Sequence, residues 1–353
     1  MPRTVSVFLA SLLTGVLFSA IPAHGQEAGP DAQSSSTNPA SVAGGVFVER
    51  TERDVHGLAV AGGLVEVKGR LKGLGLSLGA VRLDRGVRGV MLGGLSSRIG
   101  GAGAGVFVGG LGAGTENDLR GIALGGLGAG AGEDMTGVVI GGLGAGAGEN
   151  TKGFAIGGLG AGAGENMAGL VFGGLGAGAG EDMTGFVFGG LGAGAGGHAR
   201  GILLGGVGAG AGDDLVGVAA GGVAAGVGGE ARGLVAGGLA AGAEHLRGVA
   251  LAGGGVVSSS MTGVAVGGAN VSRKVRGVSL SAIYFRLGWK DRAASLHGIS
   301  VSGVNEIRGT QHGLTIGLYN YARTLNGVQL GLLNVAQNNP RWLQVLPFVN
   351  VNV

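Results

Sequence analysis

A glycine recurs every 16 residues at Gly57, Gly73, Gly89, Gly105, Gly121, Gly137, Gly153, Gly169, Gly185, Gly201, Gly217 and Gly233, and no other feature restricts the fold so strongly. Three successive units, Gly137 to Thr184, read GVVIGGLGAGAGENTK, GFAIGGLGAGAGENMA and GLVFGGLGAGAGEDMT. The spacing loosens to 15 or 14 at Gly248, Gly263 and Gly277, and similar units resume at Gly298, Gly313 and Gly327. Self-similarity at a fixed period is the mark of a repeat architecture, in which each unit contacts only its neighbours. The 353 residues are therefore read as one continuous repeat body rather than as two globular domains.

Composition narrows the class further. Glycine makes up 87 of 353 residues, but there is no G-X-Y triplet and only 6 prolines, which excludes collagen. A hydrophobic fraction of 45% against 13% charged argues against disorder. The absence of cysteine excludes disulfides, thiolate metal sites and cysteine nucleophiles. The net charge of +3 comes from 24 basic and 21 acidic residues scattered along the chain, and predicts neither nucleic acid nor an anionic membrane surface as partner.

Five segments follow from the chain order. Residues 1–25 read as a secretory signal: Arg3, the apolar run Val5 to Ile21, and the small residues Ala23 and Gly25 at a cleavage site. Residues 26–42 form a polar, Pro/Ser-rich leader. Residues 43–104 hold degenerate repeats, as the end of a stack requires. Residues 105–276 are uniform Gly/Ala-rich units, and residues 277–353 are larger, more aromatic units with a closing strand, LPFVNVNV.

Within a unit, apolar residues fall one, three and six positions after the leading glycine, as in Val138, Ile140 and Leu143, or Phe154, Ile156 and Leu159. This is strand spacing, and it predicts that these residues point inward. In the last unit the expected inward set is Val328, Leu330, Leu333 and Val335. Two all-β architectures fit. In a parallel β-solenoid each unit is one coil, with equivalent residues about 4.8 Å apart. In a closed antiparallel outer-membrane-type β-barrel each unit is one strand and a turn, and the high hydropathy suits it. Low aromatic content, uniform turn length and identical polarity in every unit favour the solenoid. Against it stands the ladder of like charges it would make from Glu133, Glu149, Glu165 and Glu181.

Few motifs point to chemistry. Gly142, Gly144 and Ala147 match a dinucleotide fingerprint, but no helix follows and the pattern recurs in unit after unit. Acidic corners at Glu133, Asp134, Glu149, Glu165, Glu181, Asp182, Asp213 and Asp214 could offer oxygen ligands to a cation, with solvated turns as the plainer reading. No other cofactor or metal is indicated, and no histidine and acid frame Ser258-Ser259-Ser260 as a catalytic triad. The chain is thus expected not to be an enzyme. His297 and His312, each just before a leading glycine, are expected to stack, and Asn320 and Asn334 to form an amide ladder. Tyr284, Phe285, Trp289, Tyr319, Tyr321, Trp342 and Phe348 gather near the C-terminus, as a cap core or as a face for a partner.

Gly327-Val328-Gln329-Leu330-Gly331-Leu332-Leu333-Asn334 and Leu346-Pro347-Phe348-Val349-Asn350 carry a family resemblance. The segment Gly313 to Val353 resembles the bacterial surface repeat-containing proteins, which have tandem G-h-Q-h-G-L-h-N units and a terminal L-P-h-h-N segment. The resemblance implies an exported protein at the surface, outer membrane or periplasm of a Gram-negative cell, and implies no activity. The expected function is a non-enzymatic structural or adhesive envelope protein, with an outer-membrane pore or anchor as the alternative. Envelope or cell-surface components are the candidate partners, membrane association stays open, and nucleic acid is not indicated.

Overall fold

The computed structural model describes residues 40–288 and 294–352; the expected signal, nearly all of the leader, and Trp289 lie outside them. The chain forms two compact units, Met1–Glu181 and Asp182–Val353, and the division falls inside the uniform block. Each is an all-β parallel solenoid. In the first, a coil consists of a longer and a shorter strand, such as Met135–Gly141 and Gly144–Ala147. Successive coils pair in parallel with a shift of one repeat, Gly121 to Gly137 to Gly153 to Gly169. The second unit repeats this from Gly201 to Gly217 to Gly233 to Gly248, and its later strands lengthen, as in Gly255–Ser272 and Ser295–Ile316. Parallel in-register pairing overturns the barrel alternative, which needs antiparallel neighbours. Only the final strand, Val345–Asn352, runs antiparallel among the described pairs, covering the edge of Tyr319–Ala336.

The leading glycine is where coils approach most closely. Gly137 has φ of 134°, and a Cβ there would lie 2.0 Å from the Gly121 carbonyl oxygen. The Gly141-Gly142 pair then turns the chain into the shorter strand.

The phase of the strands is opposite to the one expected. Met135, Val139 and Ala145 are buried, whereas Val138 and Leu143 are half-buried and Ile140 is exposed. In the last unit Gln329, Asn334 and Ala336 point inward; Val328 and Val335 are half-buried, and Leu330 and Leu333 are exposed. The interior of a 16-residue coil is narrow. Alanine, valine, leucine and methionine fill most of it, with Phe107 and Phe285 the largest buried side chains, and the apolar residues one, three and six places after the leading glycine stay half-buried or exposed. Two residues before each leading glycine, Leu119, Met135, Met167 and Met183 supply the bulk that the alanines lack.

Candidate functional surfaces

Three features carry the chemistry of the described residues: the acidic corners, the outward strand face and the C-terminal coils.

The acidic corners are two rows with different work. Three residues before the leading glycine, a side-chain acceptor takes the backbone N–H of the next coil. Asp134 Oδ1 accepts from Asn150 N at 3.3 Å, Asn150 Oδ1 from Asn166 N at 3.3 Å, Asp182 Oδ1 from His198 N at 2.8 Å, and Asp214 Oδ1 from Glu230 N at 2.7 Å. These groups replace ladder bonds that the bend interrupts. One position earlier lies the glutamate ladder, stacked through Glu149 N to Glu133 O, Glu165 N to Glu149 O and Glu181 N to Glu165 O. Glu149 is held above the usual carboxylate range, by partial desolvation first and then by the charges of Glu165, Asp134 and Glu133. Asn117 relieves one end, donating from Nδ2 to Glu133 Oε1 at 2.8 Å. Asp213 occupies the same row in the second unit, next to Asp214. Among the described residues no three His, Asp or Glu side chains converge as metal ligands do.

The outward face was not legible in composition. Residues one and three places after the leading glycine lie on the outer side of every longer strand. They are apolar in the eight coils of the first unit that have a leading glycine, Leu58 and Val60 to Leu170 and Phe172, and in the ten of the second, Phe186 and Phe188 to Val328 and Leu330; the coil before Gly57 has Val42 and Gly44 there. The residue one place before the glycine shares this side by strand alternation. In the first unit that row is His56, Lys72, Arg88, Ala104, Arg120, Thr136, Lys152 and Ala168. In the second it is Thr184, Arg200, Val216, Arg232, Arg247, Thr262, Arg276, His297, His312 and Asn326. No acid occurs in it. Stacking therefore gathers basic residues that are scattered in the sequence into one edge, which corrects the reading of the charge as diffuse. Glu230, in the corner row, bridges Arg232 and Arg247 at 3.0 and 2.7 Å. His297 and His312 do stack, with ring centroids 4.6 Å apart. Burial, then the His312 and Arg276 charges, pushes His297 below the usual histidine value.

In the second unit the outer row dips where Ala220 and Ala236 replace larger residues. An open groove of about 630 Å³ results, walled by Phe188 and Leu204 on one side and Leu251 and Val266 on the other. Its lining holds only apolar side chains and glycine.

The C-terminal coils carry polar residues inside, alongside buried Leu296, Ile307 and Leu325. Ser279, Ser300, Thr315 and Gln329 occupy the buried position that Val139 fills elsewhere. The expected amide ladder is present and longer than the two residues anticipated: Asn305 Nδ2 donates to Asn320 Oδ1 at 2.8 Å, and Asn320 Nδ2 to Asn334 Oδ1 at 2.7 Å. The aromatics divide. Phe285 is buried, Tyr284, Tyr319 and Tyr321 are half-buried, and Trp342 and Phe348 are exposed. The Tyr284 hydroxyl donates to Glu306, which also pairs with Arg308 and Arg286. Burial and this hydrogen bond push the Tyr284 hydroxyl up to about 12.

One contact escaped sequence reasoning. His245 Nδ1 lies 2.7 Å from Ser260 Oγ, because residues 15 apart sit on adjacent coils. Ser258 instead pairs with Ser272, Oγ to Oγ at 2.8 Å. In register with His245 on the other side is Glu230, already engaged by two arginines. The Ser–His pair thus continues the corner row of side-chain ladders.

The chain matches no family model, no curated protein and no solved structure. No described helix is long and apolar enough to cross a membrane.

Proposed function

We propose that this chain is an exported, non-catalytic structural or adhesive protein of a bacterial envelope, whose coils present one surface many times. The observation that carries the reading is the register: equivalent side chains stack coil upon coil, so recognition is distributed along a face instead of being gathered in a cleft. The N-terminal signal pattern and the resemblance of Gly313 to Val353 to bacterial surface repeat-containing proteins support an envelope location. A structural role for the polar residues supports a non-catalytic reading, since corner acids accept backbone amides and the interior amides bond one another.

The test is expression of the full chain in a Gram-negative host, followed by fractionation and protease treatment of intact cells. The protein should leave the cytoplasm with its first 25 or so residues removed. Retention in the cytoplasm as the uncleaved chain would overturn the assignment.

A further inference from the structure

We infer that the outward face of the longer strands docks on the surface of an anionic phospholipid bilayer. The inference takes from the proposed function only the presence of a membrane nearby.

The first observation is the absence of polarity. A surface strand of a water-soluble sheet alternates apolar inward with polar outward. Here both central outward positions are apolar in every coil that has a leading glycine. In the second unit, ten coils and the closing strand at about 4.8 Å each, by about three residues of 3.3 Å, give a face of about 500 Å². That matches the largest apolar patch of a typical soluble monomer, patches that are themselves often functional.

The second observation is independent of the repeat. The closing strand runs in the opposite direction and has a different sequence. Its register nonetheless sets Val351 beside Val328 and Val349 beside Leu330, both exposed, and buries Asn350 beside Gln329. Copying of one unit cannot account for this, because the strand is reversed. The same coils bury Ser300, Thr315 and Gln329 while exposing Val301, Ile316 and Leu330. At the centre of these strands the inward residue is polar and its outward neighbours are apolar, the reverse of the pattern that water imposes on a surface strand.

The third observation chooses the occupant. The face is edged by a row with basic residues and no acids, about two residues from the nearer apolar row. Arg200 and Arg276 form no ion pair among the described residues, and the described acids of the second unit, Glu306 apart, lie at the corner before this edge. A second copy of the chain would bring the same basic row and no counter-charge on this face. Anionic headgroups supply it, while acyl chains accept the apolar rows and fill the groove floored by Ala220 and Ala236. Interfacial binding of this kind scales with buried apolar area plus attraction between basic side chains and anionic lipid.

The experiment is flotation of the purified full chain with vesicles of phosphatidylglycerol and phosphatidylethanolamine, against vesicles of phosphatidylcholine alone. Binding to the anionic vesicles should weaken with salt. Arg200→Ser with Arg276→Ser should weaken it about 30-fold, at about 5-fold per residue. Val301→Glu with Ile316→Glu should abolish it, and Leu239→Glu, on the shorter-strand side, should leave it unchanged. In case the glutamates disturb folding, single cysteines can be placed in this cysteine-free chain. A nitroxide at Val266→Cys should become accessible to oxygen in lipid, and one at Asp213→Cys should stay in water. Failure to float, or equal accessibility at both sites, overturns the inference. So does a lipid-free oligomer that dissociates in the Val301→Glu, Ile316→Glu variant, which would put a second copy on this face. None of these results bears on whether the protein is exported, which the cell fractionation reads separately.

Discussion

Two glycines seven residues apart should respond to alanine with opposite signs. At Gly137 the φ of 134° and the 2.0 Å approach of a Cβ to the Gly121 carbonyl leave no conformation for alanine. Backbone strain of about 1–3 kcal/mol is joined by the loss of about two ladder hydrogen bonds at about 1 kcal/mol each, since the coils must separate. The total is about 3–5 kcal/mol. At Gly144 the nearest atom to an added Cβ is the Gly160 carbonyl oxygen at 4.0 Å, and φ is ordinary. Alanine there restricts only the unfolded chain and stabilises by about 0.4–1 kcal/mol. Urea unfolding followed by far-ultraviolet circular dichroism compares the two. With a slope of about 3 kcal/mol per M, Gly137→Ala should lower the midpoint by about 1 M, and Gly144→Ala should raise it by a few tenths. Equal midpoints for the two variants would refute the claim that the leading glycine is required by coil-to-coil approach.

Three further outcomes are expected. Asn320→Leu should lower stability by about 2–4 kcal/mol, because the Asn305 amide loses an acceptor and Asn334 a donor in a buried ladder; a thermal melt unchanged from wild type would remove the ladder's importance. Asp214→Ala should cost about 1 kcal/mol through the lost acceptor for Glu230 N, and Asp214→Asn, which keeps an acceptor, much less; equal losses on denaturant titration would contradict the corner-row reading. His297 has its folded pKa depressed, so the unfolded chain binds the proton more readily, and stability present above the ordinary value of 6.5 is lost as pH falls below it; melting His297→Asn across that window should give a flatter pH profile than wild type.

The repeat, the β class and the parallel stack were legible because a 16-residue period with unvarying polarity suits coils better than alternating strands. The phase was not. Hydropathy assigns the larger apolar residue to the interior, and Ile140 and Leu143 outrank Ala145 and Ala147 on that scale. The usable signal was the residue before the leading glycine. Lys152, Arg200 and Arg276 share strand phase with the apolar positions one and three places after that glycine. A phase that carries lysine and arginine in a narrow coil is the outward one. The basic edge itself was hidden because its members lie at least 15 residues apart, and counting charges does not register a period. The acidic corners were legible as turns. That their carboxylates accept amide hydrogens from the next coil depends on strand pairing that sequence spacing alone does not specify.

The C-terminal coils separate two explanations for an apolar exterior. If the outer valines and leucines were merely inherited with a duplicated unit, they should fade where the repeat degenerates and the glycine spacing shifts. The opposite occurs. The interior changes from Val235 and Ala250 to Ser279, Ser300, Thr315 and Gln329, whereas the exterior keeps Val278 and Leu280, Ile299 and Val301, Leu314 and Ile316. Burying polar side chains costs stability unless they are bonded; here Gln329 Nε2 donates to Gln311 Oε1 at 3.2 Å and Gln311 Nε2 to the Val328 carbonyl at 3.0 Å, while Gln329 Oε1 and the Ser281 and Ser302 hydroxyls are buried without a partner among the described residues. A chain free to vary could have exchanged the two sets, placing serine and glutamine in water and valine in the core, with a gain in stability from burial. Keeping the apolar set outside at that cost implies a constraint on the face itself, one that acts on coils of unlike sequence and on a strand of reversed direction.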